Sequence, residues 1–462
     1  SCGCSSSDLT DKESSNDLIS SSTSTTKVPS VSVTTTSPVV KTSTTFASTS
    51  TLVVQPPLPN TELFDAAVKM YTLDAGSRDV SAAVIFQGQV IHTFAASSAR
   101  SSRPVNIDTN FRIASISKIL TAETVLKLVD EDLLQLDEPI VGRIADTFGI
   151  AVTDERARNI TIRQLLSHTS GISNFLKVFF DAGTYDQMDM LRVALGETLA
   201  SEPGSTFKYG NVSYVLLGKA IELVTGLSYQ DATKKWVLGP LGLDSFRLVG
   251  TYEFGTNDAL HAVSGSRTYM EQLGPAGAWV ATATDVAKLL DSLDPQSPSV
   301  HVISSESMAL MKLPATPVPV GPLWDYGLGL RLFVSGEWGH SGSIENVHSM
   351  VIHRPDGLTV SVLVNGTKPK ETDDLIGVIN AAEYACCSYV FNHKDCLSQR
   401  CSTRPCWQSL YFTAKKLNAL IAVEIVQQGS GFCLFKVRNQ PVDKGSKRQR
   451  LVFSGTVDRI NT

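Results

Sequence analysis

Hydrophobic positions change period along this chain, and each change marks an element. "ELFDAAVKMYTL", beginning at Glu62, spaces its apolar residues as a helix does. "VSAAVIFQGQVIHTFAA", from Val80 to Ala96, reads as two strands joined around Gly88. A second hairpin is written in "SMVIHRPDGLTVSVLVNG" (Ser349 to Gly366), where Pro355-Asp356-Gly357 supplies the turn chemistry. "DDLIGVINAAEYACC" after it has helical spacing, and from about Ile119 to Leu290 the pattern is mostly helical, broken by Gly and Pro. Strands at both ends with helices between predict an α+β domain with one sheet built from both of its ends and a helical insert. No internal repeat is visible.

Outside that domain the texture differs. Residues 1–60 are dominated by Ser and Thr, as in "SSSTSTTKVPSVSVTTTSP", with too few large apolar groups to offset the entropy of ordering, so they predict a disordered stalk. The folded domain is assigned to 61–387, and 388–462 is a basic, Cys-containing tail: from Arg400 onward 11 Lys and Arg face 3 Asp and Glu, leaving +8 there and −13 elsewhere. A solvated end is favoured over an acidic partner for it. The overall charge of −5 gives no reason to expect nucleic acid. No apolar run is long enough to span a bilayer; the best, Leu417 to Val426, is short and contains Glu424.

Six of the eight cysteines lie between Cys386 and Cys433. "HKDCLSQRCSTRPC" offers His393, Cys396, Cys401 and Cys406, but it lacks the Cys-x-x-Cys pairs of common zinc modules, so disulfides or free thiols are preferred to a metal. No metal or other cofactor is expected.

Candidate chemistry begins in "FRIASISKILTAETVLKLV", Phe111 to Val129. Ile116, Ile119, Leu120, Val125, Leu126 and Val129 recur at helical spacing, which puts Ser115 at or just inside a helix N-terminus. Residues three apart share a helix face, so the amine of Lys118 can reach the Ser115 hydroxyl. Burial would favour the neutral amine, which can take the serine's proton. The competing reading is a serine that only caps a helix. Further along, "PGSTFKYGNVSYVLLGKAIELVTG" places Tyr209 and Asn211 just before an apolar helix. There a phenol can relay a proton and an amide can hold a carbonyl or the lysine; a half-buried Tyr and an Asn cap are the plain alternatives. "EWGHSGSIENVHSMV" then brings His340 and Gly342 along an edge strand, where the missing side chain of Gly342 lets a substrate backbone lie close.

Ser115-Ile116-Ser117-Lys118, Tyr209-Gly210-Asn211 and His340-Ser341-Gly342, in this order, resemble the three motifs of the serine beta-lactamase-like and penicillin-binding-protein family, on its class C, D-aminopeptidase and esterase side. "LLQLDEPI", "ITIRQLLSHTSGI", "PLGLDS" and "GPAGAWVATATDVAKLL" resemble it too, and the likeness runs from about Glu62 to Cys387. The resemblance implies an antiparallel sheet flanked by helices, with a helical subdomain and the active site between. It implies that Ser115 is acylated, Lys118 is its base, Tyr209 passes a proton to the leaving group, Asn211 orients the substrate and His340 lines the cleft. The N–H groups of Ser115 and Ser343 would form the oxyanion hole, worth on the order of 3 kcal/mol per donor.

Class C enzymes usually carry Lys-Thr-Gly where this chain has His340-Ser341-Gly342. A histidine is partly charged near neutral pH and pulls more weakly on a carboxylate. The expected activity is therefore a serine hydrolase acting through an acyl-enzyme on a small ester, amide or peptide rather than efficient penicillin hydrolysis. The alternative is a catalytically inactive scaffold of the same family; a third reading makes the Cys-rich tail a binding module. His168 is expected to be structural, and His348 has no role assigned. The stalk, the clustered cysteines and the sequons at Asn159 and Asn365 lean toward an extracellular or secretory setting, with mitochondrion and cytosol as alternatives; Asn211 also fits the sequon pattern, but a glycan there would block the expected cleft. Oligomeric state is open.

Overall fold

Seven strands form the main sheet: Arg78–Phe86 (β1), Gln89–Ala96 (β2), Trp324–Tyr326 (β6), Arg331–Phe333 (β7), Trp338–Ile344 (β8), Val347–His353 (β9) and Leu358–Gly366 (β10). The computed structural model describes most of residues 78–366, part of 61–69, and the backbone of 421–428 and 432–439. The Ser/Thr-rich stalk, the helix expected after Gly366 and the segment from His393 to Cys406 lie outside the described residues.

The sheet order is β2-β1-β10-β9-β8-β7-β6, and every neighbouring pair is antiparallel. β1 lies against β10, Val80 opposite Val364 and Phe86 opposite Leu358, so the two ends of the domain meet side by side within one sheet. Both expected hairpins are present. The first turns at Gln87 and Gly88, both at positive φ (46° and 73°), which suits a tight two-residue connection.

Alternation along the strands divides the core in two. Val80, Ala82, Val84, Val360, Val362 and Val364 pack on one face with Phe64 and Val68 of the N-terminal helical stretch. Ala83, Ile85, Val351 and Leu363 point the other way into the larger core shared with the helices. That core holds the helix Ser117–Asp130 (α1), the helix Asn211–Thr225 (α2) and the helix Ala283–Asp291 (α3). α1 is buried nearly all round, Ser117 through Leu126 having no solvent-facing side, which is why its apolar stripe is indistinct in sequence.

The helical insert contains a feature that periodicity did not announce. Phe111–Arg112 (β3), Arg247–Leu248 (β4) and Trp279–Ala281 (β5) form a small antiparallel sheet in the order β3-β5-β4. Strands of two or three residues are too short to show alternation. In the tail, Ile421–Gln428 (β11) pairs antiparallel with Phe432–Asn439 (β12). Among the described residues no helix is long and apolar enough to cross a membrane. The sequon at Asn365 is closed to glycan: the side chain is 3% exposed and its amide donates to the carbonyl of Leu260 at 2.7 Å.

Candidate active site

β3 pairs with β5 and hands the chain to a tight turn, Ala114–Ile116, before α1 begins. Ala114 sits at φ 47°, a conformation that costs a non-glycine residue roughly 1 kcal/mol. The strain lies one residue before Ser115, which is the middle residue of that turn. Ser115 is therefore not the helix cap: α1 follows Ile116 and no side chain caps it. Ser115 is partly exposed while its neighbours Ala114 and Ile116 are buried.

Lys118 is completely buried, and Nζ has three oxygen partners: Ser115 Oγ at 3.1 Å, Asn211 Oδ1 at 2.9 Å and the carbonyl of Ala276 at 2.7 Å. Two of these can only accept. A neutral amine has two hydrogens for those two acceptors and one lone pair, which then points at the Ser115 hydroxyl. Burial holds the lysine's pKa well below its usual value, and the positive charge of Arg331 pushes the same way. Burial and Arg331 favour the neutral form, while the three oxygens fit either a neutral amine with its lone pair toward Ser115 or an ammonium donating to all three.

Asn211 is the first residue of α2, whose cap is Gly210 with no side-chain bond, so its amide is committed to Lys118 rather than to capping. Tyr209, two residues earlier, is hydrogen-bonded to Ser115. Removal from water pushes the Tyr209 phenol up to about 12, against the opposing pull of that bond and of Arg331. It is protonated at neutral pH. The first two motifs converge on one hydroxyl, one amine and one phenol.

The third motif needs correction. β8 is paired by β7 only at Trp338 and Gly339, and from His340 onward that edge has no ladder partner among the described residues. An edge was expected, but the space beside Gly342 belongs to the protein: a Cβ there would lie 2.2 Å from the carbonyl oxygen of Ile113 and 2.3 Å from Oγ of Ser349. The glycine lets the sheet close on the turn that carries Ser115, instead of leaving room for a substrate backbone. Ser349 Oγ donates to the same Ile113 carbonyl at 2.8 Å.

His340 was expected to be partly charged. It is fully buried, and burial, Arg331 and Lys118 all drive its pKa well below the usual imidazole range, so it is neutral at physiological pH. The cation that reaches this region is Arg331 on β7, half-buried, its guanidinium 4.8 Å from the Trp324 ring centre. Its charge bears on Lys118, Tyr209, Tyr326 and His340 alike. Ser343 is exposed at the end of β8 and its Oγ lies 3.3 Å from Nδ1 of His348, the cross-strand partner.

Sequence reasoning missed Arg331, Tyr326, and the Ala276 carbonyl. A signal existed for the second: in Tyr326-Gly327-Leu328-Gly329 both glycines mark close approaches, a Cβ on Gly327 meeting the Met311 carbonyl at 2.0 Å and one on Gly329 meeting Ala122 at 2.5 Å. No local pattern points to a backbone carbonyl such as that of Ala276.

Residues 62–383 match the family model described as Beta-lactamase, well over half of the chain. Penicillin-binding protein 4 of Amycolatopsis lactamdurans is 33% identical over 229 residues, 45% of this chain and 58% of that protein. The chain therefore spans little more than half the length of that relative. Esterase EstB of Burkholderia gladioli is 31% identical over 177 residues, 35% of this chain and 45% of the esterase. Among solved structures, the D-amino acid amidase of Ochrobactrum anthropi SV3 superposes with a TM-score of 0.60 at 23% identity, over 71% of this chain and 99% of the amidase, a likeness of fold.

Proposed function

The chain belongs to the beta-lactamase family, and from that premise we propose that it is a serine hydrolase working through an acyl-enzyme on Ser115, with a small ester, amide or peptide as substrate. The observation that carries this reading is the Lys118 amine, fully buried, 3.1 Å from Ser115 Oγ and held by two groups that can only accept. In the proposed cycle Lys118 takes the proton of Ser115 as its Oγ attacks the substrate carbonyl. Tyr209, protonated and bonded to Ser115, passes a proton to the leaving group, and water then releases the acyl group with the same residues acting in reverse. Asn211 steadies the lysine and orients the substrate. The N–H groups of Ser115 and Ser343 receive the oxyanion.

A neutral, inward-turned His340 offers no charge to a substrate carboxylate, which favours ester and amide substrates over penicillins. An esterase among the relatives and an amidase among the fold neighbours are consistent with that range, while a relative named as a penicillin-binding protein makes penicillin the competing substrate to test. The test is intact-mass analysis after exposure to a fluorophosphonate and, separately, to a penicillin, beside a Ser115→Ala variant. One phosphonyl adduct on the parent and none on the variant is expected. A folded parent that takes up neither reagent would overturn the hydrolase reading in favour of an inactive scaffold.

A further inference from the structure

Three buried rings beneath Tyr209 form a hydrogen-bonded line whose direction is fixed at both ends. At one end, Nδ1 of His340 lies 2.6 Å from the carbonyl oxygen of Ser341. A carbonyl only accepts, so Nδ1 carries the hydrogen and, in an uncharged ring, Nε2 presents a lone pair. The hydroxyl of Tyr326, 3.0 Å away, donates to it. At the other end, Nδ1 of His168 accepts from the N–H of Gly210 at 3.2 Å. The hydrogen of His168 is then on Nε2, 3.3 Å from Tyr326 Oη. Tyr326 accepts from one imidazole and donates to the other.

This line supports the phenol of the site. The Tyr209 ring centre lies 4.4 Å from that of His168, 6.0 Å from that of Tyr326 and 6.1 Å from that of His340. His168 also holds the backbone N–H of Gly210, the residue between Tyr209 and Asn211, and itself sits at φ 58°, a strained conformation kept by its surroundings.

We infer that Tyr326 is a positioning residue of the active site: by accepting from His168 and donating to His340 it fixes opposite tautomers in two uncharged imidazoles and sets the platform that aims Tyr209 at Ser115. The inference rests on the reading of Ser115 as nucleophile. The groups facing these rings are Lys118 from α1, Tyr209 from the loop before α2, Tyr214 from α2, Arg331 from β7 and Tyr326 from β6. Burial disfavours a proton on either ring and Arg331 repels one on His340, while the phenols stay neutral at physiological pH because burial raises them. A proton on His340 would require Tyr326 to turn its hydrogen away and would add a charge beside the amine that serves as base. Tyr214, whose own hydroxyl donates to the carbonyl of Leu166 at 2.9 Å, is also hydrogen-bonded to Tyr326, so its oxygen is a second acceptor for the Tyr326 hydrogen beside Nε2 of His340.

Ring-nitrogen NMR of the full chain labelled with 15N-histidine tests this, with His168→Gln and His340→Gln variants to assign the signals. The expected spectra show the Nε2–H tautomer for His168 and the Nδ1–H tautomer for His340, neither titrating across about pH 5 to 8, the window in which an ordinary histidine changes charge. Either ring in the opposite tautomer, or titrating in that window, would overturn the inference. Tyr326→Phe removes one hydroxyl. It is expected to slow phosphonylation of Ser115 by roughly tenfold to a hundredfold and to give His340 a titration step in the same window. A variant with unchanged rate and unchanged histidine signals would contradict it. Should that variant fail to fold, the parent spectra still decide. They do not require Ser115 to react, so an inert serine would remove the hydrolase reading while the tautomers are judged separately.

Discussion

Lys118 and Glu123 sit five residues apart on α1, both fully buried, and the fold provides for them differently. The lysine amine has an oxygen partner for each of its three positions. The glutamate has one, Ser292, whose hydroxyl donates to Oε1 at 3.3 Å, and Oε2 has none among the described residues. Burial moves both toward neutrality: the lysine well below its usual pKa, the carboxyl up to about 8. At Lys118 neutrality creates a base beside a partly exposed serine. At Glu123 it only lessens the cost of a polar group in an apolar core. Burial supplies the pKa shift in both places, and the partners alone separate a candidate catalytic group from an inert one.

The largest effect that can break this comparison is at the lysine. Lys118→Met keeps length and apolar volume but removes the base, and phosphonylation of Ser115 is expected to fall on the order of 10,000-fold in stopped reactions followed by mass. A loss of less than tenfold would mean that the amine is structural, like Glu123. Tyr209→Phe comes next, with an expected loss of about a hundredfold in steady-state turnover of a chromogenic ester. The loss should be greater for substrates with a poor leaving group, because those need the phenol's proton most.

The smallest effect belongs to Glu123 and concerns stability. Its folded pKa of about 8 lies above the ordinary 4.5, so the folded state holds the proton more tightly than the unfolded chain does. Stability is full below the unfolded value and is lost progressively as pH rises through the folded value, by an upper bound of about 5 kcal/mol. Glu123→Gln cannot ionise and should flatten that slope, read as the denaturation midpoint in urea against pH. An equally steep slope in the variant would place the pH dependence elsewhere. Activity per folded molecule should be unchanged.

Much of this was legible in the sequence, for reasons that differ by residue. The hairpins β1–β2 and β9–β10 were visible because strands of seven to nine residues carry turn residues between them. The meeting of the domain ends at β1 and β10 followed from strands flanking a helical insert. The small sheet β3-β5-β4 was not visible, its strands being too short for a period. Ser115, Lys118, Tyr209 and Asn211 were found as motif residues, and the structure brings all four within one hydrogen-bonded cluster. The state of His340 was misjudged because charge depends on burial and on distant neighbours, here Arg331 and Lys118, which no tripeptide records. Gly342 was given to the substrate for a similar reason: the carbonyl it admits, Ile113, lies far away in sequence.

Whether burial makes Lys118 the base for Ser115 is read from the rate of Ser115 phosphonylation as a function of pH. The account predicts a rate that rises through an ionisation well below the ordinary lysine value of 10.5 and then stays level into the alkaline range, with that ionisation absent from Lys118→Met. A rate that keeps climbing tenfold per pH unit up to the ordinary lysine range would show an amine charged at neutral pH and would contradict it.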